Sequence, residues 1–313
     1  MYKRQDFTTA SRSVFAAADV RFVNLNVATV DAAKHAGVAL LADARTGLEG
    51  LREALAGWNA DPGHTERARG LAAEWDATVE RAYTLGHRPL PAQSEVLGVV
   101  NRVSGPRDVV VCAAGSMPGD LHKLWRTRDP KGYHVEYGFS CMGYEIAGGL
   151  GVKLAAPDRE VYVMVGDGSF LMMAQEIVTA VQEQIKLTVV LVQNHGFASI
   201  GALSESLGSQ RFGTRYEGRD GELLPVDLAL VAAGLGAAVH RTSTIDAFES
   251  ALREAAASSR VTVVEVQTDP LVGAPDSEAW WDVPVAEVAA LDSTRAARET
   301  YDEHKRTQRQ HVT

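Results

Sequence analysis

Runs of aliphatic residues alternate with stretches of helical periodicity from about residue 92 to residue 269. DVVVCAAGS, EVYVMVGDG, LTVVLVQN and VTVVEVQTD each hold consecutive β-branched or aliphatic residues closed by turn formers. That is the pattern of a strand buried on both faces. Between them SEVLGVVNRVSG, GYEIAGGLGVKLAA, LMMAQEIVTAVQEQI and VDLALVAAGLG space their apolar residues as helices do. Strands alternating with helices predict an α/β fold, a doubly wound parallel sheet. Its ligands would gather outside the C-terminal strand ends, near a switch point in strand order.

Upstream, VRFVNLNV and VALLAD read as two strands joined by DAAKHAG, a short helix or turn. TGLEGLREALAGW follows as an amphipathic helix, with Leu48, Leu51, Leu55 and Trp58 on one face. Two strands and one helix cannot cover both faces of a sheet. Residues 1–57 are therefore expected to be the remnant of a larger α/β domain, which the family resemblance given below implies is a partial α/β middle domain. Residues 58–90 are polar, then carry a Trp75-bearing helix broken by the prolines of HRPLPAQ, and read as a connector. The main domain is placed at 91–270 and a C-terminal extension at 271–313, whose DSTRAARETYDEHKRTQRQH reads as a solvated helix.

Composition narrows the function classes. The chain has 313 residues, 46% of them hydrophobic, enough for a sizeable core, and a net charge of −9. An acidic balance argues against nucleic-acid binding, which needs a basic face. No apolar run reaches membrane-spanning length, and MYKRQDFTTASR lacks the apolar centre of a signal peptide, so a cytoplasmic protein is expected. Cys112 and Cys141 form neither a metal spacing nor a disulfide framework and read as reduced structural thiols.

The chemistry concentrates at two strand ends. Asp167 closes one strand and Asn194 closes the next, 27 residues on, one complete β-α-β unit. A right-handed crossover brings such strands side by side or one apart, with their C-terminal ends together. A carboxylate, an amide oxygen and a backbone carbonyl from the following HGF turn are hard ligands suited to Mg2+. Gly166 and Gly168 would let the backbone approach a phosphate without a Cβ in the way. The amides after Gly168 open a helix, where an anion is favoured. Taken singly, GDG is also a common turn and Asn194 also a common turn residue; the pairing at this spacing carries the reading.

These residues resemble those of the thiamine diphosphate enzymes related to acetolactate synthase and pyruvate decarboxylase, whose signature is GDG, a helix, then NN. Here the second element is Gln193-Asn194. The resemblance implies a thiamine diphosphate-binding fold holding thiamine diphosphate and Mg2+, the metal on Asp167, Asn194 and the carbonyl of Gly196. It implies cofactor contacts at Gly166, Gly168, Ser169, His195 and Phe197. GFSCMGYEIAGG aligns with the segment whose apolar residue, here Met142, wedges the cofactor into a bent shape, and Ser140 would offer its carbonyl to the aminopyrimidine. Without that alignment Met142 reads as an ordinary core methionine. Gly115 and Ser116 of AAGSMPG resemble the second diphosphate loop.

Within the family, YHVEYGFSCMGYEIAGGLGVKLA, VQNHGFASIGALSESLGSQRFGTRY and AWWDVPVAEV are similar to a branch that hydrolyses a C–C bond of a polyhydroxy cyclic 1,2-diketone in inositol catabolism. The glutamate that activates the cofactor in this family lies on an N-terminal pyrimidine-binding domain, and nothing before Val20 resembles one. Glu136 and Glu145 lie in the wrong segment for that role. A homo-oligomer, a dimer by resemblance, or a partner chain supplying that domain is expected. An acetolactate synthase-like lyase or carboligase, a noncatalytic cofactor-holding subunit and a nicotinamide-binding Rossmann protein are the competing readings. The last is disfavoured because GGLGVKL lacks the third glycine and does not follow a strand directly; close helix packing explains Gly149 and Gly151 better. His195 either points at substrate or caps its turn. Arg211 and Arg215 either contact a polyol or carboxylate or lie on the surface.

Overall fold

The computed structural model describes residues 10–136, 138–276 and 280–309. The first nine residues of MYKRQDFTTASR, Ala279 of AWWDVPVAEV and the last four residues lie outside that description. The chain divides into two compact units, one of residues 1–74 with 276–313, the other of residues 75–275.

In the first unit, β1 (Val23–Asn26) and β2 (Val38–Leu41) pair in parallel, and the helix Ala44–Ala54 follows. Asp43 caps that helix, its carboxylate accepting the Arg45 amide at 2.9 Å. The helix does not bury the apolar face expected of it: Leu48, Leu55 and Trp58 are exposed, as are Val23 and Val38 on the strands. Two strands are too few to cover them. The helix Asp292–Thr307 belongs to the same unit. Asp282 ties it down, accepting the Tyr301 hydroxyl at 2.8 Å and the Gln308 amide at 2.9 Å, with Lys305 on the same carboxylate.

The second unit is built on a parallel sheet of six strands: β3 (Val109–Cys112), β4 (Tyr133–Val135), β5 (Val161–Gly166), β6 (Thr188–Gln193), β7 (Ala238–Thr242) and β8 (Thr262–Gln267). Their spatial order is β4-β3-β5-β6-β8-β7. Every residue of β6 is buried, and on β5 only the last residue is not. Alternate side chains feed two cores: Val163, Val165, Val189 and Leu191 on one face, Tyr162, Met164, Val190 and Val192 on the other. Each fully buried aliphatic side chain contributes on the order of 1.5–3 kcal/mol. The first core is closed by the helix Tyr144–Ala155, the second by Gln93–Val103 and Ile245–Ala257. Gly149 shows why that first helix is rich in small residues: a Cβ there would lie 2.3 Å from Val163 Cγ2.

The stretch expected as a connector is mostly one helix, Pro62–Tyr83, and the second unit begins inside it at Trp75. Trp75 and Tyr83 pack on the core, and Trp75 Nε1 donates to the Lys123 carbonyl at 3.0 Å. Cys112 lies in the core as a structural thiol, where burial pushes it up to about 12, whereas Cys141 departs from that expectation in being exposed. Among the described residues no helix is long and apolar enough to cross a membrane.

Strand order reverses at β3, with β4 on one side and β5 on the other. This is the switch point at which a doubly wound sheet opens a crevice beyond its strand ends. The segments following β3, β5 and β6 are AAGS, DGS and NHGF.

Candidate functional site

β5 and β6 are immediate neighbours, with Gly166 in register with Val192. The residues one and two steps further on are therefore adjacent. Asp167, buried at the start of the helix Asp167–Met173, accepts the Gly168 amide at 2.8 Å on Oδ1. Its Oδ2 accepts the amides of Asn194 at 3.0 Å and Gly196 at 3.1 Å. Burial pushes its carboxyl above the usual range, against the pull of the Gly196, Asn194 and Gly168 amides.

The Asn194 side chain is the complement. Its Oδ1 is buried and has no hydrogen-bond partner. Such an acceptor is costly unless something fills it. Among the described residues no group of three His, Cys, Asp or Glu side chains could hold a metal, so a cation here would have one carboxylate, Asp167, and rely otherwise on amide and carbonyl oxygens.

Gly196 is held by a short antiparallel pairing with the segment 214–216. Phe197 donates its amide to the Thr214 carbonyl at 2.7 Å, and Tyr216 donates its amide to the His195 carbonyl at 2.9 Å. A Cβ on Gly196 would lie 2.1 Å from the Thr214 carbonyl oxygen, so only glycine permits this approach. A Cβ on Gly168 would meet the Phe197 ring at 2.8 Å and the Met142 methyl at 3.2 Å. Gly168, Met142 and Phe197 thus converge on one point. Tyr216 meets Phe197 edge-on, ring centroids 5.7 Å apart, and its buried hydroxyl also lacks a partner. Burial, then the Asp167 charge, pushes that hydroxyl up to about 12.

Gly115 precedes the helix Ser116–Leu124 with φ of 85°. Both Gly115 and Ser116 line a cavity of about 360 Å3 that also includes Asn194 and Thr268. The Ser116 hydroxyl donates to Gln93 Oε1 at 3.2 Å, and Gln93 Nε2 donates to Asp120 at 2.6 Å. Thr268 follows β8 with its hydroxyl buried and unpartnered. A second cavity of about 220 Å3 includes Asn194, Gly196, Arg211 and Arg215. Arg211 is ion-paired to Glu205 at 2.7 Å and Arg215 to Glu217 at 2.7 Å. Ser140 has a left-handed φ of 56°, and its hydroxyl donates to the Ala113 carbonyl at 3.4 Å. His195 faces elsewhere, lining a separate cavity.

Glu145, set aside above as an activating acid, has a structural part. Its buried carboxylate accepts the Gly143 amide at 3.0 Å and the Ala114 amide at 3.3 Å, and bonds the Ser169 side chain. It thereby ties together the loops after β3, β4 and β5. Thr268, Tyr216, Gln93 and Asp120 were not singled out from sequence; the sole cue for Thr268 is its place just past a strand end.

Residues 113–266 match the model of the thiamine pyrophosphate enzyme C-terminal TPP binding domain. They are a domain of that family. Among curated relatives, a 3D-(3,5/4)-trihydroxycyclohexane-1,2-dione hydrolase from Bacillus licheniformis is 36% identical, aligned over 93% of this chain and 50% of its own. Proteins of the same name from Bacillus subtilis and Geobacillus thermodenitrificans are 36% and 37% identical, each over 98% of this chain and 52% of theirs. The chain spans about half the length of these relatives. Two solved structures share the fold. A thiamine diphosphate-dependent 4-hydroxybenzoylformate decarboxylase from Rhodococcus jostii has a TM-score of 0.51 at 20% identity, over 57% of this chain and 33% of that one. A benzoylformate decarboxylase from Polynucleobacter necessarius has a TM-score of 0.53 at 21% identity, over 61% and 35%.

Proposed function

We propose that this chain is the diphosphate-binding half of a thiamine diphosphate- and Mg2+-dependent hydrolase that cleaves a C–C bond in a polyhydroxy cyclic 1,2-diketone. The observation that carries it is the buried, unpartnered Oδ1 of Asn194, a residue whose backbone amide is held by the buried Asp167 carboxylate at the adjoining strand end. One cation would satisfy the orphan acceptor and offset the buried charge together. The names of the relatives, similar over almost the whole chain, support the diketone substrate.

Asp167, Asn194 and the Gly196 carbonyl would hold the Mg2+. The Gly115–Ser116 turn, at the start of the helix Ser116–Leu124, and the Gly168–Ser169 turn would seat the diphosphate. Met142 and Phe197, against Gly168, would set the shape of the bound cofactor, and Ser140 would offer its backbone carbonyl. When bound, thiamine diphosphate supplies the electron sink that C–C cleavage requires. Of the chain's own residues, Asp167 would offset the charge of the cation, Asn194 would orient it, and Tyr216 braces Phe197 by their edge-on contact. The activating glutamate would come from a pyrimidine-binding domain on a partner chain, or from a second copy of a longer protein.

Calorimetric titration of the purified chain with thiamine diphosphate, with and without Mg2+, tests the cofactor. Mg2+-dependent binding is expected, and equal binding without the ion would refute the site. Product analysis after adding a chain that carries the glutamate-bearing domain tests the reaction. Ring opening of the cyclic dione supports it, whereas turnover of pyruvate alone points to an acetolactate synthase-like enzyme.

A further inference from the structure

A cavity of about 530 Å3 shares His195 with the segment described above but includes neither Asn194 nor Gly196. Its floor is one face of the sheet at the C-terminal ends of β6 and β8. Gln193 and Gln267 are register partners there, and Glu265 lies two residues before Gln267, hence on the same face. Arg241 of β7 is in register with Glu265. Asp227, Thr242 and Ser243 complete the polar wall.

Glu265 is the anomaly. It is 6% exposed on an inner strand, between β6 and β7. Among the described residues its carboxyl has no hydrogen bond; only the charges of Arg241 and Asp227 reach it, and burial pushes it above the usual carboxylate range. The nearby cation is already engaged, because Arg241 Nη2 donates to both carboxylate oxygens of Asp227 at 2.8 Å. A carboxylate buried on a central strand without a partner is expensive to keep. Here it faces a cavity rather than packed core.

The charge and chemistry of the lining select the ligand. Two carboxylates against one guanidinium disfavour an anion, and the polar walls disfavour an apolar molecule. A carboxylate only accepts hydrogen bonds, whereas the two carboxamides both donate and accept. Hydroxyl groups answer both demands, and an ammonium answers only the first. Gln193 is already oriented, its Nε2 meeting His195 Nδ1 at 3.2 Å. We infer that this cavity is a binding site for a small polyhydroxylated molecule, with Glu265 accepting from its hydroxyls and Gln193 and Gln267 fixing its orientation. The inference does not rest on the thiamine diphosphate reading, since it uses none of the residues assigned to the metal.

The test titrates the purified chain with myo-inositol, as a stable cyclic polyol, by ligand-observed NMR, with 1,5-diaminopentane as the cationic comparison. Saturable inositol binding is expected, weakened about tenfold to hundredfold in Glu265→Gln and in Gln267→Ala, as for loss of a charged or multiple hydrogen bond. Asp167→Asn should leave it unchanged. Without ligand, Glu265→Gln should melt at the same temperature or higher, because an unpartnered buried charge has been removed. No saturable binding, binding of the diamine in place of inositol, or equal binding by Glu265→Gln would each overturn the proposal. So would a lower melting temperature in Glu265→Gln, which would mean a structural partner for the carboxylate. Loss of inositol binding in Asp167→Asn would overturn it too, by placing the polyol in the other site.

Discussion

Replacing Asp167 by asparagine keeps the shape of the side chain and removes its charge. The amide can turn so that its oxygen still accepts from Asn194 and Gly196, leaving its NH2 facing the Gly168 amide. One hydrogen bond to a charged group is then lost, about 1.5–3 kcal/mol. Against that, the carboxyl lies above its usual range because burial outweighs the help of the amides, so neutralising it returns part of the loss. The apo variant should stay within about 2 kcal/mol of the parent. Metal binding has no such offset, since the only charged ligand is gone.

The measurement is a thermal shift with thiamine diphosphate and Mg2+. At ligand concentrations near a hundred times Kd, binding stabilises by about 2.7 kcal/mol. For a unit of this size that raises the melting temperature by roughly 5–11 °C. The parent should show that rise only with both components present, and Asp167→Asn should show none. A full rise in the variant, or the same rise in the parent without Mg2+, would refute the assignment of Asp167 and Asn194 as metal ligands.

Other substitutions probe the frame around the site. Gly196→Ala would press a methyl to 2.1 Å from the Thr214 carbonyl, forcing the 195–197 and 214–216 segments apart. A loss of about 2–4 kcal/mol is expected in chemical denaturation, and an unchanged midpoint would show that the pairing is not rigid. Glu145→Ala strips the acceptor from two amides, Gly143 and Ala114, at about 1–3 kcal/mol each, with Glu145→Gln retaining one of them; equal stability of the two variants would contradict this. Asp120 supplies a pH signature. Burial raises its carboxyl from 3.8 to about 6, so the folded chain binds the proton more tightly than the unfolded one. Its contribution to stability therefore falls as pH rises from about 4 to about 6 and is level above that. Asp120→Asn should abolish this slope and gain up to about 3 kcal/mol at pH 7.5; a stability difference constant from pH 4 to 6 would show that Asp120 titrates normally.

The strands that could be read from sequence are those buried on both faces. β3, β5 and β6 each present a continuous apolar run because each has a core on either side, and β8 does so except at Glu265. β4 and β7 are the edges, and they are short and carry His134, His240 and Arg241, so no run marks them. The helix Ser116–Leu124 is hidden by Pro118 and Gly119. Ile245–Ala257 does carry a helical signal: Thr244 caps it, and Phe248, Ala251, Leu252 and Ala255 form its buried stripe. The helix read across 171–185 is broken, ending at Met173 and resuming at Glu176. The meeting of Asp167 with Asn194 followed from one crossover length, but the form of the contact did not. It runs through backbone amides, which sequence does not display. Tyr216 and Thr268 were out of reach because their place depends on how 195–197 pairs with 214–216 and on β8 lying beside β6.

The two ends of the sheet are treated differently, and that difference supports a ligand more strongly than any single residue. At the N-terminal ends polar groups are paired: Lys186 with Glu160 at 2.7 Å, the Thr188 hydroxyl with the same carboxylate at 2.8 Å, and Arg159 with Asp129 at 3.0 Å. At the C-terminal ends, and on the segment pairing above them, lie the unpartnered Asn194 Oδ1, Tyr216 hydroxyl and Thr268 hydroxyl, with the Glu265 carboxyl beyond. Each such group costs on the order of 1–3 kcal/mol while unmet. Flaws of packing would have no reason to favour one end. A sheet that keeps these costs only where its strands deliver their loops is holding polar capacity for molecules that arrive there, and the stability forgone in the empty protein is regained when they bind.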